Sequence, residues 1–253
     1  MPEPLPPSQD KDRVEDFSDH DAHLRAIHSL VSCLARWDDG YSRRLDEAID
    51  AEMSEDGGCP ETDPVGLALH EMEFVHVAQS LAFITTIVAF VESLFKECLP
   101  MMATRFEGKY QEQNARFQRY GEGNPSFWDP AKSTAIGDKI ATRISDILEG
   151  SGLIRFLIPD FTRVLGAIFK YRNQMIHNGF EWSQAERRKF ALTIKEEGWT
   201  EWFSVSTVDD DPWYFTITGS FSQACLELCD RSVLAFAGLI RGDWDRYRNK
   251  YGH

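Results

Sequence analysis

The feature that most constrains this 253-residue chain is the apolar run from Leu81 to Val91. It lies inside a helix-period segment that opens at Pro64 and is expected to run to Leu99, where Pro100 breaks it. The middle of that segment is apolar nearly all round, the pattern of a helix buried on every face. As a membrane span the run is too short, and lengthening it brings in Gln79, Ser80, Glu92 and Lys96. The segment therefore predicts a central core helix in a water-soluble protein with no membrane partner, and the chain is long enough to bury such a core.

The rest of the chain supplies helices to pack on it. Residues 1–17, with four prolines and many charges, predict a flexible tail. Ser18 or Asp19 can cap a helix whose apolar stripe is Leu24, Ile27, Val31, Leu34, Trp37, Tyr41, Leu45 and Ile49, ending near Met53 before a loop over 54–63. A polar helix is expected from Met101 to Tyr120, a loop from Gly121 to Pro130, and an amphipathic helix from Ala131 to Leu148. Pro159-Asp160 opens another helix, with Phe161, Val164, Leu165, Ile168, Met175 and Ile176 as its apolar stripe and Asn178-Gly179 to close it. Ser183 and Glu186 have capping-box spacing for a helix over about 184–197, and Ser220 to Gln223 repeat that spacing before a last helix to about Ile240. Trp199–Val208 and Trp213–Thr218, separated by Asp209-Asp210-Asp211-Pro212, predict a β-hairpin. The expected fold is thus mostly α: one domain over 18–253, with 18–63 as an acidic helical extension, 64–253 as the core, and a small hairpin insertion near 199–218.

Charge and cysteines narrow the function classes. The net charge is −14, and residues 1–63, with 17 acids against 6 bases, carry −11 of it. A net-acidic chain is a poor non-specific binder of nucleic acid. Residues 163–190 depart from that average: Arg163, Lys170, Arg172, Arg187, Arg188 and Lys189 face Glu181 and Glu186, a local net of +4. Five scattered cysteines without CxxC fit a reducing compartment, and Met1–Pro7 lacks the pattern of a signal peptide, so a cytoplasmic location is expected. No phosphate loop and no G-x-G-x-x-G is present, and no cofactor is expected. His70 and His76 are six apart, roughly 240° around a helix, so one zinc cannot take both and no metal site is expected. Cys225 and Cys229, at i and i+4, read as core.

The chemistry concentrates in Lys170-Tyr171-Arg172-Asn173-Gln174-Met175-Ile176-His177-Asn178-Gly179. Arg172 and His177, five apart, flank one side of a helix roughly 140° apart without stacking, and Asn173 is the i−4 neighbour of His177. In a last helical turn the dipole favours the imidazolium and suits His177 to proton transfer near neutral pH. Arg172 offers a permanent planar charge suited to phosphate. RNA carries its own nucleophile in the 2′-OH, so this pair needs no metal to cleave it. The blander account is an Arg and a His at this spacing by chance, with the histidine only capping carbonyls.

Arg172-Asn173-Gln174-Met175-Ile176-His177 resembles the R-x4-6-H signature of the HEPN superfamily, with the polar residue that commonly follows the arginine present as Asn173. The resemblance implies a HEPN-like helical bundle and a metal-independent endoribonuclease of a toxin–antitoxin or other prokaryotic defence system, its site formed at a homodimer interface. It implies His177 as general acid/base, Arg172 as phosphate stabiliser and Asn173 as a positioning group. Phe90 to Lys96, an apolar helix carrying Glu92, looks like the family's partner helix, with Glu92 as a supporting residue that orients Arg172 or Asn173. Lys170, Tyr171, Arg163, Arg187 and Arg188 are then the expected RNA contacts, and a cognate antitoxin or defence protein an expected partner. Two departures stand out: some toxins of the superfamily carry a modified Tyr where this chain has Gly179, and the hairpin lies outside a minimal four-helix core. Some members lack nuclease activity and serve as dimerising scaffolds, which is the alternative function.

Overall fold

The computed structural model of the chain describes residues 7–54, 64–103, 106, 110–121, 123–133, 139–180 and 182–240. The expected loop over 54–63 and the basic, aromatic end beyond Ile240 therefore lie almost wholly outside the described residues. The described chain is mostly helical: α1 (Pro7–Ser54), α2 (Pro64–Met102), α3 (Ala115–Tyr120), α4 (Pro125–Trp128), α5 (Ile140–Ser151), a 3-10 turn (Leu153–Phe156), α6 (Phe161–Asn178), α7 (Gln184–Glu196) and α8 (Gly219–Ile240). One antiparallel hairpin, β1 (Phe203–Val208) and β2 (Asp211–Ile217), completes it. Asp209 and Asp210 both take positive φ, 51° and 64°, as a tight hairpin turn of the primed type requires.

Several boundaries differ from the sequence reading, each for a local reason. α1 starts at Pro7 rather than near Ser18; the prolines of the expected tail all lie at or before Pro7, and Pro at a first helical position is pre-organised. α2 passes Pro100 and ends at Met102, because so near the end of a helix the ring removes few hydrogen bonds. By length and composition α2 would suffice to cross a membrane, yet Ile84, Ile87, Val91, Leu94, Phe95 and Leu99 are all fully buried in the protein. α8 is capped by Thr218, whose hydroxyl accepts from the Phe221 amide at 3.3 Å, two residues ahead of the expected Ser220.

The chain clusters into two compact units where one domain was expected: residues 1–26, 87–170 and 223–253 form one, and residues 27–86 and 171–222 the other. In the first, Phe95 meets Phe161 at 5.7 Å and Phe236 at 5.4 Å. In the second, Phe190 packs against Trp182, Phe203 and Phe215 with ring centroids 5.3, 5.6 and 5.0 Å away. Ser80 ties α2 to the hairpin there, its hydroxyl accepting from the Ile217 amide at 3.1 Å.

The helices expected over Met101–Tyr120 and Ala131–Leu148 are much shorter, α3 and α5, and the segment between them is gathered around one residue. Arg116 is fully buried, and its guanidinium donates to the carbonyls of Phe127 (2.6 Å), Lys132 (3.0 Å), Ser126 (3.3 Å) and Asp129 (2.5 Å). Those carbonyls turn inward to a buried cation, so the segment cannot spend them on a helical ladder. Tyr120 adds a bond from its hydroxyl to the Ser133 carbonyl at 2.6 Å. Phe106 and Tyr110 are drawn onto Trp128 and Phe127 at 5.4 and 5.7 Å instead of lying on a solvated helix. Asn114 caps α3, and Gly150 gives it room, since a Cβ there would come 3.0 Å from the Asn114 Oδ1. Replacing Arg116 by Met should strand four carbonyls and cost about 2–4 kcal/mol by urea denaturation. Arg116→Lys should recover part of that, because an ammonium cannot reach all four acceptors.

Candidate active site at the end of helix α6

The sequence of α6 sorts its last two turns by side. Tyr171 is fully buried and Met175 nearly so, whereas Arg172, Asn173, Gln174 and Asn178 are half-buried and Ile176 and His177 are exposed. The sorting is enforced by Tyr171. Its hydroxyl donates to the Phe215 carbonyl of β2 at 2.7 Å, and its ring lies 6.1 Å from Phe190 and 5.3 Å from Phe203. Burial pushes its phenol well above the usual range, so it stays a neutral donor. The helix then stops as the sequence indicates: Gly179 takes φ +65° and its amide donates to the Met175 carbonyl at 2.9 Å. Trp182 closes the turn, its indole donating to the Gly179 carbonyl at 2.9 Å while the ring stacks on Phe215 at 5.2 Å.

On the open side, Arg172 Nη1 donates to Asn173 Oδ1 at 2.9 Å. Arg172 Nε is buried and has no hydrogen-bond partner among the described residues. Five residues on, His177 is exposed in the last turn of the helix. Gln174 holds the rim, accepting from Asn178 Nδ2 at 3.2 Å and donating to Glu186 of α7 at 3.3 Å. The structure thus brings Arg172 and Asn173 into direct contact and sets His177 on the same helix end.

The other expected site residues are placed less uniformly. Tyr171 is corrected: a side chain buried at 0% exposure with its hydroxyl engaged cannot stack on RNA. Arg188 is tied down by Asp211, its Nη2 2.7 Å from Oδ1. Those hydrogen bonds hold the Asp211 carboxyl below its ordinary range. This tie between α7 and the hairpin turn is present above the ordinary carboxylate pKa and lost as the pH falls through the depressed one. Arg187 lies over the Trp213 ring at 4.2 Å, with Nε unpartnered among the described residues. Arg163 pairs with Asp160 at 3.7 Å and Lys170 is half-buried, both in the first unit. Glu92, also there, has its carboxylate engaged by Lys96 at 3.0 Å rather than held for the motif. Glu181 lies outside the described residues.

Two residues at this helix end escape the sequence reading. Ile176 was assigned to the apolar stripe but is 52% exposed, and Phe180, just past Gly179, is 43% exposed. Their signal is position: Ile176 is one residue past the buried Met175, on the side facing away from Tyr171. Among the described residues, no group of three or more His, Cys, Asp or Glu side chains is placed to hold a metal ion. Comparison with protein-family models, with curated proteins and with solved structures finds no match in any of the three.

Removing the Tyr171 hydroxyl tests this geometry. Tyr171→Phe should lower stability by about 1–3 kcal/mol in chemical denaturation, since the Phe215 carbonyl is left buried without its donor.

Proposed function

We propose that the chain is a metal-independent endoribonuclease of HEPN type, a cytoplasmic prokaryotic defence or toxin component that works as a homodimer. One observation carries the reading. The end of α6 carries an exposed His177 and a half-buried Arg172 five residues before it, with Asn173 bonded to the arginine, while Tyr171 is held inward. Neutral His177 takes the proton from a ribose 2′-OH, and the 2′ oxygen attacks the adjacent phosphorus. The bond from phosphorus to the 5′ oxygen breaks, and that oxygen takes a proton from an imidazolium, supplied in the dimer by His177 of a second copy. Arg172 stabilises the charge that develops on the non-bridging oxygens. The products are a 2′,3′-cyclic phosphate and a 5′-hydroxyl. Arg187 supplies charge toward the RNA backbone.

A second reading is favoured by Ile176 and Phe180, two exposed apolar side chains beside His177. They suit a contact surface, and a non-catalytic dimerisation or scaffold module binding a protein partner would use the same helix end. Incubating the protein with RNA in excess EDTA separates the two. The nuclease reading expects cleavage that falls at least about 100-fold in His177→Ala and by a similar factor in Arg172→Ala, with both variants keeping the wild-type circular dichroism. No cleavage, or cleavage unchanged in His177→Ala, leaves the scaffold.

A further inference from the structure

A cavity of about 580 Å³ opens between α1 and α2 in the second unit, within the size range of small-molecule sites. Its walls follow from the sequence. On α1, Arg36, Gly40 and Arg44 recur at i, i+4 and i+8, so they share one face with the glycine between two cations. On α2, Val75, Ala78, Gln79 and Ala82 form the facing stripe at i, i+3, i+4 and i+7. Small residues therefore oppose one another where two helices would ordinarily interlock, and Leu34, Tyr41 and Val75 make the rest of the lining apolar. Gly40 is informative, because glycine inside a helix costs about 1 kcal/mol relative to alanine. A Cβ built there meets nothing within 4 Å, so no neighbouring atom requires the glycine. The glycine faces open space.

The polar groups in the lining have one sign. Arg44 lies over the Tyr41 ring at 5.2 Å, and Arg36 donates to the Cys33 sulfur at 3.1 Å. Among the described residues, neither is paired with a carboxylate and no carboxylate lines the cavity. Gln79 adds an amide nitrogen, buried and with no hydrogen-bond partner among the described residues. This contrasts with residues 1–63 as a whole, where acids outnumber bases by 17 to 6. We propose that this cavity binds an organic anion with an apolar body. Its carboxylate or similar headgroup would lie between Arg36 and Arg44, and its hydrocarbon or ring against Leu34, Val75, Ala78 and Ala82. Arg36 and Arg44 supply charge-assisted donors, and Gln79 supplies a further one. The site is separate from the end of α6 and does not depend on the function proposed for it.

Titration of the full chain with dodecanoate and, separately, with 8-anilinonaphthalene-1-sulfonate tests this and distinguishes an aliphatic from an aromatic ligand. At least one should bind saturably at one site per chain with Kd at or below about 100 μM, and at least about tenfold more tightly than neutral dodecanol. Gly40→Leu fills the space with a better helix former and should abolish binding while circular dichroism is unchanged. Gly40→Ala should keep the affinity within about threefold, since one methyl meets no neighbour. The double variant Arg36→Gln/Arg44→Gln, which leaves the helix backbone as it is, should weaken binding at least about tenfold and serves if Gly40→Leu fails to fold. Binding of neither probe, binding as tight for dodecanol, or binding indifferent to both sets of substitutions would overturn the proposal.

Discussion

The hydrogen bond from the Tyr171 hydroxyl to the Phe215 carbonyl fixes what the end of α6 can do. A helix can rotate about its axis unless something buried pins it, and here the pin is a polar one inside an aromatic cluster. Trp182, Phe190, Phe203 and Phe215 exclude water around it, which raises the cost of leaving the bond unmade. With Tyr171 held inward, the helical repeat leaves His177 outward and Arg172 between the two. The chemistry of the open face is thus set by the packing of the closed one. The hairpin supplies the acceptor. Its second strand is held in turn by Ser80 through the Ile217 amide.

The first unit solves a similar problem with a charge. Arg116 is fully buried and donates to four backbone carbonyls. Burial lowers its pKa, the direction desolvation imposes on any cation, with Tyr120, Asp146 and Asp129 opposing it. Arginine remains protonated under such conditions, and its planar fork reaches several acceptors at once. In both units a buried side-chain donor organises backbone that would otherwise be irregular. Neither anchor uses a carboxylate in hydrogen-bond contact, so each holds its segment without a buried ion pair.

Periodicity made the long helices legible. The capping box of α7 describes a local preference that the packing keeps, with Ser183 capping through the Glu186 amide. The apolar patterns overstate burial: α2 leaves Ala78, Ala82, Thr85, Ala89 and Ser93 exposed at helical spacing rather than being buried on every face, and the stripe of α6 ends with Ile176 exposed. The hairpin was readable from its β-branched and aromatic runs with an Asp-rich turn between. Around Arg116 the reading failed, because composition alone cannot say that an arginine in a polar stretch is buried and gathers carbonyls from residues 10 to 16 positions away. At the candidate site, Arg172, Asn173 and His177 are read from spacing; Arg172 and Asn173 are half-buried and His177 is exposed. Tyr171 was misread because aromatic character serves a core as well as a nucleotide contact. Only its partners, distant in sequence at Phe190, Phe203 and Phe215, decide which.

The central claim is that one helix end handles phosphate through a histidine and an arginine, with the RNA providing the nucleophile. Its most direct test compares an RNA cleaved by the wild-type protein in EDTA with the same strand carrying a 2′-O-methyl group at the cleaved linkage. The mechanism predicts a 2′,3′-cyclic phosphate end from the first and no scission at that linkage in the second. Scission of the methylated linkage, or a product with a 5′-phosphate, would mean that water rather than the 2′-OH attacks, and the account would be contradicted.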